Sequence, residues 1–130
     1  MDIFTSYATD EKAEVDGSWQ KLGDTEFLIA RANNRNYVRA LTAAVEKHQL
    51  DLDRQDTKAD KLSDDIMAGV MADTILLGWK EVKYKGNVLP YSKENAKLVL
   101  QHKDFRREVA RLAENMDAYR AKMEAEQVKN

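Results

Sequence analysis

The sequence predicts a mainly α fold: a small helical domain with an N-terminal β-hairpin and a short β-turn connector between helices. Three observations carry that expectation. Apolar residues recur at spacings of three and four over three long stretches, the period of a helix face. Gly17 and Gly23-Asp24 bracket two short segments, SWQKL and TEFLIAR, in the pattern of a hairpin. Gly86-Asn87 and the only proline, Pro90, separate the second helical stretch from the next.

Residues 1–16 hold Asp10, Glu11, Glu14 and Asp16 with little apolar periodicity, so a flexible acidic arm is expected there. Residues 17–130 are expected to form one domain whose last helix extends beyond the core. In the hairpin, Trp19 would lie across from the strand of Phe27, Leu28 and Ile29. An isolated two-stranded ribbon is marginal, so it must pack on helices. Asn33-Asn34 offers a cap, because a short side-chain oxygen can accept from a free helical N–H. The helix it opens carries Tyr37, Leu41, Val45 and His48 on one face and is expected to end near residues 48–50. The polar, acidic residues 50–60 suit a loop or a weakly formed helix equally.

Leu62, Ile66 and Val70 run beside Met67, Met71 and Ile75 in two rows at spacing four. That breadth marks a core helix. Ser63, Asp64 and Asp65 are placed early in it, where its dipole favours acids, and Gly78 is the expected stop. Trp79, Tyr84 and Tyr91 crowd the connector, residues 76–92. Pro90 cannot continue a helix, and Ser92 caps a short one carrying Ala96, Val99 and Leu100. A final helix from Asp104 aligns Phe105, Val109, Leu112, Met116, Tyr119 and Met123 in a heptad-like seam.

The composition narrows function. The 130 residues suit one domain, and a chain of that size buries roughly two thirds of its unfolded surface. Lysine and arginine number 21 against 23 acids, a net charge of −2, so no global field draws nucleic acid or anionic membrane. Without cysteine, disulfides, thiolate catalysis and sulfur-based zinc sites are excluded. The N-terminus lacks the basic and apolar regions of a signal peptide, and no window nears the ~20 apolar residues of a membrane span. A soluble intracellular protein is the expectation.

No phosphate loop, HExxH, GxSxG or nucleotide fingerprint occurs, so no enzyme and no cofactor are expected. His48 falls on an apolar face, where packing outweighs ligation. The carboxylates between Asp51 and Asp65 lack the glycine and terminal glutamate of a calcium loop. Lys97, Lys103, Arg106, Arg107 and Arg111 form the one basic cluster, but Asp104 and Glu108 interleave with it, which favours a solvated face over phosphate binding. The candidate partner-binding residues are Met116, Tyr119 and Met123, whose flexible methionines suit an adaptable surface. Shortening the chain after Asn115 is accordingly expected to leave the fold intact and weaken partner binding.

The connector and its flanks resemble the tail assembly chaperones of lambda-like long-tailed bacteriophages. The matching residues are Leu76-Leu77 and Trp79, Gly86-Asn87, Pro90-Tyr91-Ser92 and Glu94-Asn95-Ala96, with a weaker echo in Gly17, Trp19, Ile29-Ala30-Arg31, Asn33-Asn34 and Tyr37. Each motif is short and tolerant; their order over residues 17–112 carries the likeness. The resemblance implies a non-enzymatic protein of the host cytoplasm, absent from the mature virion. It implies binding to the tape measure protein, recruitment of the tail tube protein, and a longer frameshifted form of the chain as a further partner, an extension that would begin at Asn130. Self-association is permitted by the seam. Nucleic acid and membrane are not expected as partners. Two alternatives stay open: a small helical adaptor unrelated to tails, and a nucleic-acid-binding regulator using the basic cluster.

Overall fold

The computed structural model describes residues 1–121. The elements run α1 (Ile3–Tyr7), α2 (Glu11–Asp16), β1 (Ser18–Leu22), β2 (Thr25–Ile29), α3 (Arg35–Leu52), α4 (Thr57–Thr74), β3 (Leu76–Trp79), β4 (Lys83–Tyr84), β5 (Asn87–Val88), α5 (Lys93–Leu100) and α6 (Lys103–Ala113), followed by a 3-10 turn over Met116–Tyr119. The mainly α expectation is corrected: this is a mixed α/β fold, with helices packed on an antiparallel sheet of order β1-β2-β3.

The hairpin forms where glycines bracket it, with Trp19 opposite Leu28 and Gln20 opposite Phe27. The third strand is the element that the helical reading missed. α4 ends at Thr74, Ile75 turns the chain, and Leu76–Trp79 pairs with β2, Phe27 opposite Trp79 and Leu28 opposite Gly78. A register shift between Leu28 and Ile29 brings Ile29 opposite Leu76. Leu-Leu-Gly-Trp fits the end of a helical stripe as well as a buried strand. Only pairing with a partner strand about 50 residues distant in the chain decides between them.

The sheet supplies Phe27, Ile29, Leu76 and Trp79 to the core, and α4, α5 and α6 cover that side with Met71, Leu100 and Val109 among others. The connector holds the corner rigidly. The Trp79 indole Nε1 donates to the Leu89 carbonyl (2.8 Å), and its ring meets Tyr91 edge-on at 5.0 Å. The Tyr91 hydroxyl donates to the Leu76 carbonyl (2.7 Å). The small hairpin of β4 and β5 turns through Lys85-Gly86, both at positive φ (51° and 84°), the geometry that matches strand twist.

Asn34 caps α3, accepting from the amides of Asn36 and Tyr37. Its side-chain amide donates to the Thr74 carbonyl (3.2 Å), which ties the start of α3 to the end of α4. No residue of α3 is fully buried, because this helix packs almost wholly on α4. The undecided segment, residues 50–60, is mostly helical: α3 runs to Leu52, and Asp56 caps α4 from Thr57. Asp64 and Asp65 therefore lie mid-helix, away from the dipole's positive end.

The last of the described residues depart most from expectation. α6 stops at Ala113, and the seam breaks before Met116. Tyr119 swings inward and is 0% exposed. Its hydroxyl donates to the Ile29 carbonyl (2.8 Å) and accepts from Gln20 Nε2 (3.1 Å), which also reaches the Leu112 carbonyl. Residues 1–16, expected as an arm, carry α1 and α2 and are strapped to this turn. The Asp10 amide donates to the Tyr119 carbonyl (2.8 Å), and the Ala121 amide to that of Ala8 (2.9 Å). Shortening after Asn115 would empty the site that Tyr119 fills, so the truncation expected to leave the fold intact should instead destabilise it.

Two measurements probe this packing. Trp79 is 9% exposed, so Trp79→Ala should lower stability by about 3–5 kcal/mol in urea denaturation, the cost of deleting a core aromatic. Burial pushes the Tyr119 hydroxyl up to about 12, against opposing effects of the Gln20 hydrogen bond and the Arg31 charge. Its folded value is raised, so its contribution is whole below about pH 10 and is lost as pH rises through about 12. The urea midpoint should therefore fall more steeply over that window in the native protein than in Tyr119→Phe.

Candidate functional site

A cleft of about 430 Å³ lies between the α3–α4 helical hairpin and α6. Its floor is apolar: Met67, Met71 and Ile75 from α4 and the residue after it, faced by Ala110 and Ala113 of α6. The small alanines keep α6 from filling the gap. Tyr37 of α3 forms one wall, its hydroxyl 3.7 Å from the Met67 sulfur. The rows read as a core stripe are thus divided. Val70 and Met71 are buried, while Leu62, Ile66 and Met67 are only half-buried.

The rim is charged. Asp64 accepts from Arg106 Nη2 (2.9 Å) and lies 3.7 Å from Lys103 Nζ. Arg106, its side chain 14% exposed, also donates to the Leu100 carbonyl (3.1 Å), so the Asp64 pair closes one end of the cleft with a partly buried, doubly bonded guanidinium. Among the described residues Arg107 pairs only with Asp104 on its own helix, and Arg111 with Glu108. Asp64 of α4 thus answers two of the five cations in the basic cluster, and the interleaved Asp104 and Glu108 answer two more.

The candidate binding residues do not come together. Tyr119 is fully buried and offers no surface to a partner, Met116 is exposed beside it, and Met123 lies outside the described residues. The cleft itself was not legible: Asp64 and Arg106 are distant in sequence, and the available signal, Met67 and Met71 at spacing four, reads equally well as core. Among the described residues no group of three or more His, Asp or Glu could hold a metal ion. No helix there is long and apolar enough to cross a membrane. His102 meets the Tyr84 hydroxyl (2.7 Å) at the surface.

The fold and site define a small helix-on-sheet domain with an amphipathic cleft. A family model described as YdaY prophage protein matches residues 32–130. The chain belongs to that family and is phage-derived. The match takes in every residue that lines the cleft, whereas β1 and β2 precede it. Comparison with curated proteins and with solved structures finds no match.

Removing the Asp64 carboxylate strands the guanidinium of Arg106. Asp64→Ala should cost about 1–3 kcal/mol in urea denaturation, the range for a broken charged hydrogen bond. Glu108→Ala, which breaks only an exposed pair, should cost no more than about 0.5 kcal/mol.

Proposed function

We propose that this phage-derived protein is a tail assembly chaperone, one that binds the tape measure protein and helps recruit tail tube subunits. The observation that carries the proposal is the cleft between α4 and α6, where half-buried Met67 and Tyr37 offer an adaptable contact for a helical client. The ordered likeness of the connector to tail assembly chaperones supports the same reading, as does membership of a prophage family. On this reading the protein is not an enzyme and acts in the host cytoplasm. A longer frameshifted form is a further partner, self-association is compatible with the task, and the chain is left out of the mature virion.

The basic cluster supplies no second reading of comparable weight. Its cations are interleaved with Asp64, Asp104 and Glu108, which opposes an extended phosphate backbone.

Co-expression with the tape measure protein of the same phage tests the proposal. The expected result is co-purification and a larger soluble fraction of the tape measure protein. A tape measure protein equally insoluble with and without the chain, and absent from the purified material, would overturn it.

A further inference from the structure

We infer that α1 is a self-association surface: its apolar face pairs with α1 of a second copy of this chain, the two helices antiparallel about a two-fold axis. The inference goes beyond the chaperone reading and does not rest on it. The orientation of the helix, its apolar area and the charges at its two ends each point to that occupant.

α1 is turned inside out. Successive residues step about 100° around a helix, so Ile3, Phe4 and Tyr7 share one face. That face meets solvent: Ile3 is 70% exposed, Phe4 68% and Tyr7 49%, with Met1 at 92% just before them. The half-buried residue of the helix is Ser6. A surface helix packed on its own core does the reverse. Five residues are too few to hold a helix alone, and local ties keep this one in place. The Asp2 carboxylate accepts from the Thr5 amide (3.2 Å), and Ala8 and Thr9 pair with Ala121 and Arg120. The apolar face is therefore held outward.

Its size suits a weak dimer. The four side chains expose on the order of 600 Å² per copy, and covering most of it in both copies removes about 1,000 Å² from water, where specific interfaces begin.

Charge sets the orientation. Asp2 precedes the first turn of α1, and Arg120 lies at the other end, its guanidinium 5.6 Å from the Tyr7 ring. An antiparallel pair brings Asp2 of each copy beside Arg120 of the other, the self-complementarity that a two-fold interface requires. A parallel pair would join like charges. Arg120 meets Asp117 through Nε at 3.5 Å, in an exposed pair that holds weakly. A guanidinium has five N–H donors, so it can serve a second carboxylate. A lipid surface is the poorer occupant. Residues 1–16 hold Asp2, Asp10, Glu11, Glu14 and Asp16 against Lys12, whereas helices that lie on membranes are rich in lysine and arginine.

Sedimentation equilibrium of the full chain should show a reversible monomer–dimer equilibrium with a micromolar dissociation constant, as a small interface gives. Ile3→Ser/Phe4→Ser should weaken dimerisation at least about thirtyfold. Its urea midpoint, taken where the native chain is monomeric, should not move, because both side chains are already exposed. Arg120→Glu should weaken dimerisation roughly tenfold by facing Asp2 with a like charge. Asp2→Asn keeps the cap and removes the charge. It should weaken the dimer of the native chain and strengthen that of Arg120→Glu. Phe4→Ser alone repeats the first comparison if the double variant does not unfold cooperatively.

A monomer at every concentration, a dimer that survives Ile3→Ser/Phe4→Ser, or an Asp2→Asn effect of the same sign in both backgrounds would each overturn the inference. So would binding to vesicles of phosphatidylcholine and phosphatidylglycerol, lost in Ile3→Ser/Phe4→Ser, from a chain that stays monomeric. A dimer with these responses and no co-purification of the tape measure protein removes the chaperone reading and leaves the inference standing.

Discussion

Everything else in the molecule depends on the antiparallel pairing of β2 with β3. These strands are separated in sequence by the whole of the α3–α4 hairpin, and their ladder closes that hairpin into a fixed loop. Because α4 runs into β3 through a single residue, Ile75, the direction of the strand sets the direction of the helix. The sheet face then presents Phe27, Ile29 and Leu76 as the surface on which α4, α5 and α6 must pack. Pairing satisfies the backbone polar groups of an apolar segment that could not otherwise be buried.

A second set of ties holds the 3-10 turn to that sheet. Gln20 is buried, its Nε2 donating to the Tyr119 hydroxyl and the Leu112 carbonyl and its Oε1 accepting from Asn115 Nδ2, and the same hydroxyl reaches the strand at Ile29. A buried network of this kind is stabilising only when each member is bonded. Here no buried side-chain polar atom among the described residues lacks a partner. The tie reaches β1, β2 and the close of α6 at once, so the 3-10 turn is part of the core rather than a free end. The cleft arises from the same arrangement. α6 is held against the sheet by Val109 and Leu112, and its other side, Ala110 and Arg106 among it, is left facing the methionines of α4 across a gap.

Much of the fold was legible in the sequence because local chemistry specified it. The caps at Asn34 and Ser92, the hairpin bracketed by Gly17 and Gly23, and the turn before Val88 all come from single residues acting on their own neighbourhood. Trp79 and Tyr91, crowded into the connector, became the aromatic pair that pins the corner. The errors share a cause. Leu76–Trp79 continued a helical stripe but became a strand, and the seam through Met116 and Tyr119 kept a heptad spacing but broke into a turn. In both places periodicity predicted a helix, and long-range partners outweighed it.

The sequence by itself determined the caps at Asn34 and Ser92, the glycine turns, which faces are apolar, that no thiol chemistry is available, and that the cations of α6 are shadowed by acids. These depend on residues a few positions apart. Tertiary structure alone decided that the domain is mixed α/β, that Tyr119 is a core residue rather than a docking one, and that Asp64, Arg106 and Met67 meet around a cleft. Strand pairing, burial and the meeting of distant charges depend on which segments become neighbours in space, and spacing along the chain carries no measure of that.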